Sequence, residues 1–262
     1  MTGAALADSP WNDPTFTIPD RINEVEGMLN WHEKRMLYWL ARRHYTGEGK
    51  ICDLGAYLGG STICFAMGLR DASRSGKLIY SYDRFVLGPF EQTVFRGELP
   101  PNNETLPIFT NNLRGYHDLL VVKAGDVASH RWDAGPIEIL FVDLAKSAMT
   151  WDHVVREFFP HLIPGKSIVI LQDYIWHASG AWHHVVMEKL RNHFDYVVDT
   201  DVNSAVFQYT RPFEFGVLSH AMWDTISADE KAELMEQAIQ RMTTEKKRET
   251  LRAVQTTLLS IG

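Results

Sequence analysis

Cysteine is nearly missing from this sequence. Cys52 and Cys64 are the only two in 262 residues. One falls in an expected strand and the other in an expected helix, so two buried reduced thiols are expected rather than a disulfide framework. Long uncharged apolar runs are also missing, which argues against a membrane-spanning helix. The opening stretch "MTGAALADSPWNDPTF" has no basic region followed by an apolar core. It does not read as a signal peptide, and the cytoplasm is the expected compartment. Excess positive charge is missing too. The formal charge is -7, which argues against a nucleic-acid binder with a basic face. What remains is 45% hydrophobic composition, enough to build the core of one α/β domain.

Strand-like and helix-like segments alternate along the chain. "KICDL", "KLIYSYD", "LLVVKAG", "IEILFVD" and "SIVILQD" read as strands. Between them, "STICFAMGLR" and "TWDHVVREFFPHL" read as helices, the second opening at Thr150. "AWHHVVMEKLRNHF" reads as the helix after the fifth strand. Strands separated by helices imply right-handed crossovers and a parallel sheet covered on both faces. The last two strands, "YVVDT" and "SAVFQYT", leave no room for a helix, so they should pair antiparallel. Before the first strand, "INEVEGMLNWHEKRMLYWLARRHY" is amphipathic helix in one or two pieces, with Met36, Leu37, Leu40 and Ala41 as its apolar stripe. After Ser219 the chain is charged and helical, and Ser227 with Glu230 has capping-box spacing. The expected division is an N-terminal arm and helices over 1–49, a core over 50–212 and a helical extension over 213–262, all within one domain.

One connection breaks the rhythm. Between Asp83 and Leu119 lies a long segment with Pro100, Pro101, Pro107 and two Asn pairs. Segments of this length are lids or binding elements, or else solvated insertions with one docking helix.

The densest glycine stretch is "DLGAYLGGST", Asp53 to Thr62. A dinucleotide fingerprint ending at Gly60 would need glycine where Tyr57 stands. A phosphate loop would need lysine where Ser61 stands. Asp53, two residues before Gly55, would repel phosphate and suit an ammonium group. Glycine lets the backbone approach a ligand closely, and a helix starting near Ser61 offers N–H groups to a carboxylate. Asp83 ends the second strand, where an acidic residue typically takes ribose hydroxyls. Asp126 follows the third strand in "GDVAS" and could accept from an exocyclic amine, with Val127 against a purine face. Amino acid, ribose and adenine together describe S-adenosylmethionine.

On these residues the chain resembles the class I S-adenosylmethionine-dependent methyltransferases. The Leu-Gly-Ala-Tyr-x-Gly-x-Ser core is similar to the catechol O-methyltransferase branch. "LIPGKSIVILQDY" is similar to the corresponding strand of the macrocin-type sugar O-methyltransferases. The likeness covers about Lys50 to Thr210. It implies a Rossmann-like, doubly wound, seven-stranded sheet, mostly parallel with an antiparallel last strand, plus N- and C-terminal helices. It implies that Asp53 serves the methionine ammonium, Gly55 and Gly59 the close approach, Asp83 the ribose and Asp126 the adenine. Ala56 belongs to the same loop, and Tyr57 and Ser61 would line the methionine end.

Chemistry is expected after the fourth and fifth strands. Asp143 and Lys146 have the Asp-x-x-Lys spacing that in the catechol enzymes binds magnesium and accepts the proton of the acceptor hydroxyl. Asp143, Asp173 and Gln172 could form a hard-cation site for Mg2+, although the family pattern places a second acid where Gln172 stands. His177, four residues after Asp173, is the alternative base, with no metal. Trp151, Trp176 and Trp182 could wall a sugar-stacking pocket or pack in the core. The expected activity is transfer of a methyl group to the hydroxyl of a sugar, phenol or secondary metabolite. Alternatives are a hydroxylase-like or N-methylating enzyme on the same fold, and a non-catalytic cofactor-binding subunit. A small-molecule acceptor, no nucleic acid, no membrane and a homodimer complete the expectation.

Overall fold

A computed structural model describes residues 6–176, 178, 180–200 and 203–260, the last four without their side chains. The chain forms two compact units, one of Ser9–His130 and one of Arg131–Gly262 with Met1–Asp8.

The Ser9–His130 unit begins with the short helix α1, Arg21–Glu24, and α2, Trp31–Trp39, which continues as a wider turn over Leu40–His44. The break between them is the stretch around Gly27. Asn30 restarts the helix: its side chain accepts from the Glu33 N–H, and Glu33 returns a bond from the Asn30 N–H. β1 (Lys50–Leu54), α3 (Gly60–Asp71) and β2 (Ile79–Asp83) follow. The long connection then holds α4 (Pro89–Val94) and α5 (Leu106–Asn112) before β3 (Leu120–Ala124). The three strands are parallel, with Ile51 opposite Ile79 and Ile79 opposite Leu120. α2 sits tightly on α3 because Gly68 has no side chain. A Cβ there would meet the Tyr38 carbonyl at 2.6 Å and Ala41 Cβ at 2.8 Å.

The second unit carries β4 (Ile137–Val142), α6 (Ala148–Phe158), β5 (Ile168–Leu171), α7 (Ala181–Lys189), β6 (Phe194–Asp199) and β7 (Ala205–Tyr209). It ends with α8 (Val217–His220), α9 (Ala228–Arg241) and α10 (Glu245–Ser260). All six residues of β4 are buried, as expected of a parallel strand covered on both faces. β4 and β5 are parallel, and β7 runs antiparallel to both β5 and β6. The strand order of the seven-stranded sheet is β3-β2-β1-β4-β5-β7-β6.

One helix start differs from expectation. α6 begins at Ala148 rather than Thr150, because Ser147 provides the cap and the Thr150 N–H is the donor it accepts. The expected Ser227 cap is present at the start of α9. α9 buries Leu234, Met235, Ala238 and Ile239. It also pairs Arg241 with the buried Glu188 of α7 at 2.8 Å. No described helix is long and apolar enough to cross a membrane.

Candidate functional site

The candidate residues divide between the units. The glycine loop and the acidic strand ends belong to Ser9–His130, and the Asp-x-x-Lys segment belongs to the other unit.

The loop after β1 is held in conformations that few residues adopt. Gly55 has φ 104°, Tyr57 φ 47° and Gly59 φ 97°. The left-handed region is strained for a tyrosine, and strain of this kind persists where the surroundings impose it. Here Asp83 imposes it. Its carboxylate accepts from the Tyr57 N–H at 2.9 Å and from the Phe85 N–H at 2.6 Å. Burial raises the Asp83 pKa, and the two backbone N–H groups pull it partly back.

Asp53 is fully buried at the end of β1. Ser61 Oγ donates to its two oxygens at 2.8 and 3.0 Å, and Thr62 Oγ1 donates to Oδ2. Burial pushes its pKa up to about 6 against these hydroxyl bonds. Asp53 therefore touches Ser61 and Thr62 directly. Ser61 donates its proton to Asp53 and keeps lone pairs that can accept from an ammonium. Thr62 was not singled out from the sequence. The signal was there in two adjacent hydroxyls opening a helix after a buried acid.

α3 starts at Gly60 with Gly59 as its cap residue, and no side chain caps it. Its first N–H groups remain for an anionic ligand. Gly59 does not leave ligand space beside it. A Cβ there would meet Leu113 Cδ2 at 2.3 Å and Phe109 at 3.3 Å. The glycine is required by the docking of α5, whose Phe109 is buried. Tyr57 Oη is buried without a hydrogen-bond partner. Burial, with Glu26, Glu91 and Asp83 nearby, pushes its pKa up to about 12. It is a donor in wait for an acceptor. Ala56 is buried, and its N–H bonds back to the Tyr82 carbonyl at 3.1 Å. Asp126 caps the turn Val127–Ser129 by accepting from the Ala128 N–H at 2.9 Å, and Val127 is buried.

In the other unit, Lys146 Nζ donates to Asp143 Oδ1 at 2.9 Å and to Asp173 Oδ2 at 2.8 Å. The segment that carries it is short and fixed. Trp182 Nε1 donates to the Ala145 carbonyl at 3.0 Å, and Ser147 caps α6. Asp173 has φ 61°, a conformation that Asp tolerates better than most residues. Burial pulls the Lys146 pKa down, but the charges and hydrogen bonds of Asp143 and Asp173 outweigh it and leave it raised. A lysine so placed holds its proton and is a poor base. Gln172 is not drawn into this group: its Oε1 is buried and accepts no hydrogen bond. Among the described residues, no cluster of three or more His, Cys, Asp or Glu could hold a metal ion.

His177 lies outside the described residues. His183 and His184 are buried on α7, and burial lowers both, His184 to about 3. Trp151 is a core residue, fully buried and edge-on to His183 at 4.8 Å. Trp182 serves the loop through its indole N–H.

No protein-family model matches the chain, and no curated protein sequence matches it. Solved structures do. The O-methyltransferase NovP matches with a TM-score of 0.55 at 16% identity, over 80% of this chain and 96% of that one. Apo CalS11, a TDP-rhamnose 3'-O-methyltransferase in calicheamicin biosynthesis, matches with 0.50 at 16% identity, over 80% and 93%. The chain has the fold of these two methyltransferases. The seven-stranded order with its antiparallel last pair is the architecture expected from the sequence.

Proposed function

We propose that this chain is an S-adenosylmethionine-dependent O-methyltransferase acting on a small molecule, a sugar, phenol or secondary metabolite. The observation that carries this reading is the Asp83 carboxylate. Each of its oxygens accepts one backbone N–H and keeps a lone pair for one of two ribose hydroxyls. The orphaned Tyr57 Oη and the uncapped start of α3 fit the same ligand. When bound, the cofactor supplies a methyl group on a sulfonium. Asp53, acting through Ser61, offers negative charge to the methionine ammonium. The backbone of Gly55, Ala56, Tyr57 and Gly59 shapes the loop, and the α3 N–H groups meet the carboxylate. Asp126 and Val127 serve the adenine. NovP and CalS11 are both O-methyltransferases, which supports a hydroxyl acceptor.

At the acceptor, Asp143, Lys146 and His177 form the working set. Lys146 donates rather than accepts, so the hydroxyl proton goes to a carboxylate beside it or to His177. The protein would work as a cytoplasmic homodimer with no nucleic-acid or membrane partner. Light scattering tests the dimer, a mass near 29.9 kDa refuting it.

The deciding experiment is calorimetry with S-adenosylmethionine and with NAD. S-adenosylmethionine binds and NAD does not. Asp83→Ala weakens binding by roughly 1.5–3 kcal/mol, as for loss of hydrogen bonds to a charged group. Equal affinity in variant and wild type overturns the assignment.

A further inference from the structure

We propose that Glu91 of α4 selects the charged sulfonium of S-adenosylmethionine over the neutral thioether of S-adenosylhomocysteine. The inference rests on the methyltransferase reading and names a further residue of the same site. α4 is built inside out. Phe90 is 60% and Val94 41% exposed, while Glu91 and Gln92 between them are half-buried. An acid turned inward beneath exposed apolar side chains is the reverse of an ordinary surface helix. Gln92 has a partner inside, because its Nε2 donates to the Leu87 carbonyl at 3.1 Å. The Glu91 carboxylate makes no hydrogen bond or ion pair among the described residues. It folds back over Gly88, where a Cβ would lie 2.6 Å from Glu91 Oε2 and 3.9 Å from Arg84 Nη2.

The segment that leads to Glu91 is pinned. The Phe85 N–H donates to Asp83 at 2.6 Å, the Thr105 N–H to the Phe85 carbonyl at 2.8 Å and the Leu87 N–H to the Asn103 carbonyl at 2.9 Å. From this place the Glu91 charge acts on two residues of the cofactor site. Burial is the main cause of the raised Tyr57 pKa, and Glu26 and then Glu91 add to it. Burial also dominates at Asp83, where the Phe85 and Tyr57 N–H groups and Arg84 oppose the rise and Glu91 adds to it. Tyr57 is assigned to the methionine end and Asp83 to the ribose. The sulfonium is the atom that joins methionine to ribose, so a carboxylate felt at both residues stands beside it. Glu26 is the other acid near Tyr57, and its Oε1 already accepts from the Arg96 N–H at 2.9 Å. A half-buried carboxylate without a partner costs free energy, which a cation brought by the ligand offsets and a neutral sulfur does not. Transfer passes the methyl to the acceptor oxygen, whose proton goes to the base, and leaves the bonding pair on a neutral sulfur. The spent cofactor thereby loses its attraction to Glu91, and fresh cofactor displaces it.

The test is calorimetry on the full chain without acceptor, with S-adenosylmethionine and S-adenosylhomocysteine titrated separately. The two ligands share ammonium, carboxylate, ribose and adenine, so their ratio isolates the sulfonium charge. Wild type binds S-adenosylmethionine more tightly by roughly fivefold or more. Glu91→Gln keeps the shape, loses most of that preference and leaves S-adenosylhomocysteine affinity within about twofold. Glu98→Gln, which removes an exposed charge from the same connection, keeps the wild-type ratio. Wild type that binds both ligands equally overturns the proposal, and so does a Glu91→Gln chain with the wild-type ratio. Equal weakening of both ligands by Glu91→Gln also overturns it, because Glu91 would then only shape the loop. If Glu91→Gln does not fold, Glu91→Met is read by the same criterion. Sinefungin, with an amine in place of the sulfonium, decides independently on wild type. Binding tighter than S-adenosylhomocysteine supports the proposal, and binding no tighter overturns it. A wild type that binds none of these ligands overturns the S-adenosylmethionine reading itself, and this inference with it, whereas a flat ratio with all of them bound overturns the inference alone.

Discussion

The helices after β1 and β4 begin in opposite ways. α3 has glycine at its cap position and spends its nearest hydroxyl, Ser61, on Asp53. α6 has Ser147 at its cap position, and that hydroxyl accepts from the helix itself. The carboxylates beside them differ in the same sense. Asp53 and Asp83 are answered by hydroxyls and backbone N–H groups, and both pKa values are raised. Asp143 and Asp173 are answered by an ammonium. One region leaves the start of its helix without a side-chain cap and its carboxylates without an ion pair among the described residues. The other has an ammonium shared between its two carboxylates.

Acid should break this comparison with the largest effect. His184 is buried neutral, its pKa lowered by burial from 6.5 to about 3. The unfolded chain takes up its proton first as pH falls. Stability from the neutral imidazole is complete above 6.5 and is lost progressively toward 3, by up to about 5 kcal/mol over the window. Denaturant unfolding from pH 7 to 4 should show this slope, and His184→Phe should flatten it. An unchanged slope would mean that another group governs the acid limb.

Asp53 runs the other way. Its folded pKa of about 6 lies above the ordinary 3.8. Its contribution to stability is complete below 3.8 and is lost as pH rises through 6. The charged form therefore costs about 3 kcal/mol at neutral pH. Asp53→Asn should stabilise the ligand-free protein more at pH 7.5 than at pH 4.5, while weakening S-adenosylmethionine. A variant equally stable at both values relative to wild type would remove the idea that this carboxylate is held ready for a cation.

Much of this was legible in the sequence, for local reasons. β4 was legible from the segment "IEILFVD", and all six of its residues are buried in the structure. The antiparallel end was legible from loop length. Asp53, Asp83, Asp143 and Lys146 were legible as residues at strand ends. Some of their partners were not, because they come from distant parts of the chain. Asp83 is 26 residues from the Tyr57 N–H it accepts, and Lys146 is 27 residues from Asp173. Gly59 shows the limit best. Its sequence context suggests ligand approach, while the atom that forbids a side chain there is Leu113 Cδ2, from α5's C-terminal end.

That position sharpens the comparison next. Gly59→Ala adds a Cβ 2.3 Å from Leu113 Cδ2 at φ 97°. Overpacking and left-handed strain together should cost roughly 1–3 kcal/mol. If α5 docks there as described, Leu113→Ala in the same chain should recover the overpacking part and leave the strain. Urea midpoints of the two single variants and the double variant measure it. Strict additivity would show that the contact is not felt.

The smallest effect tests whether α6 is self-sufficient. Ser147→Ala removes the acceptor of the Thr150 N–H and the hydroxyl contact to Thr150 at 2.8 Å. Loss of such a cap costs about 1 kcal/mol. Because Ser147 directly follows Lys146, loosening it also frees the residue that joins Asp143 to Asp173. Ser227→Ala on α9 removes a cap of the same kind with no link to that cluster, and serves as the control. Both variants should lose similar stability. Only Ser147→Ala should speed hydrogen exchange over residues 143–147. Equal exchange in the two variants would show that the lysine segment is held by the Trp182 bond to Ala145 alone, and that the helix cap contributes nothing to the cluster.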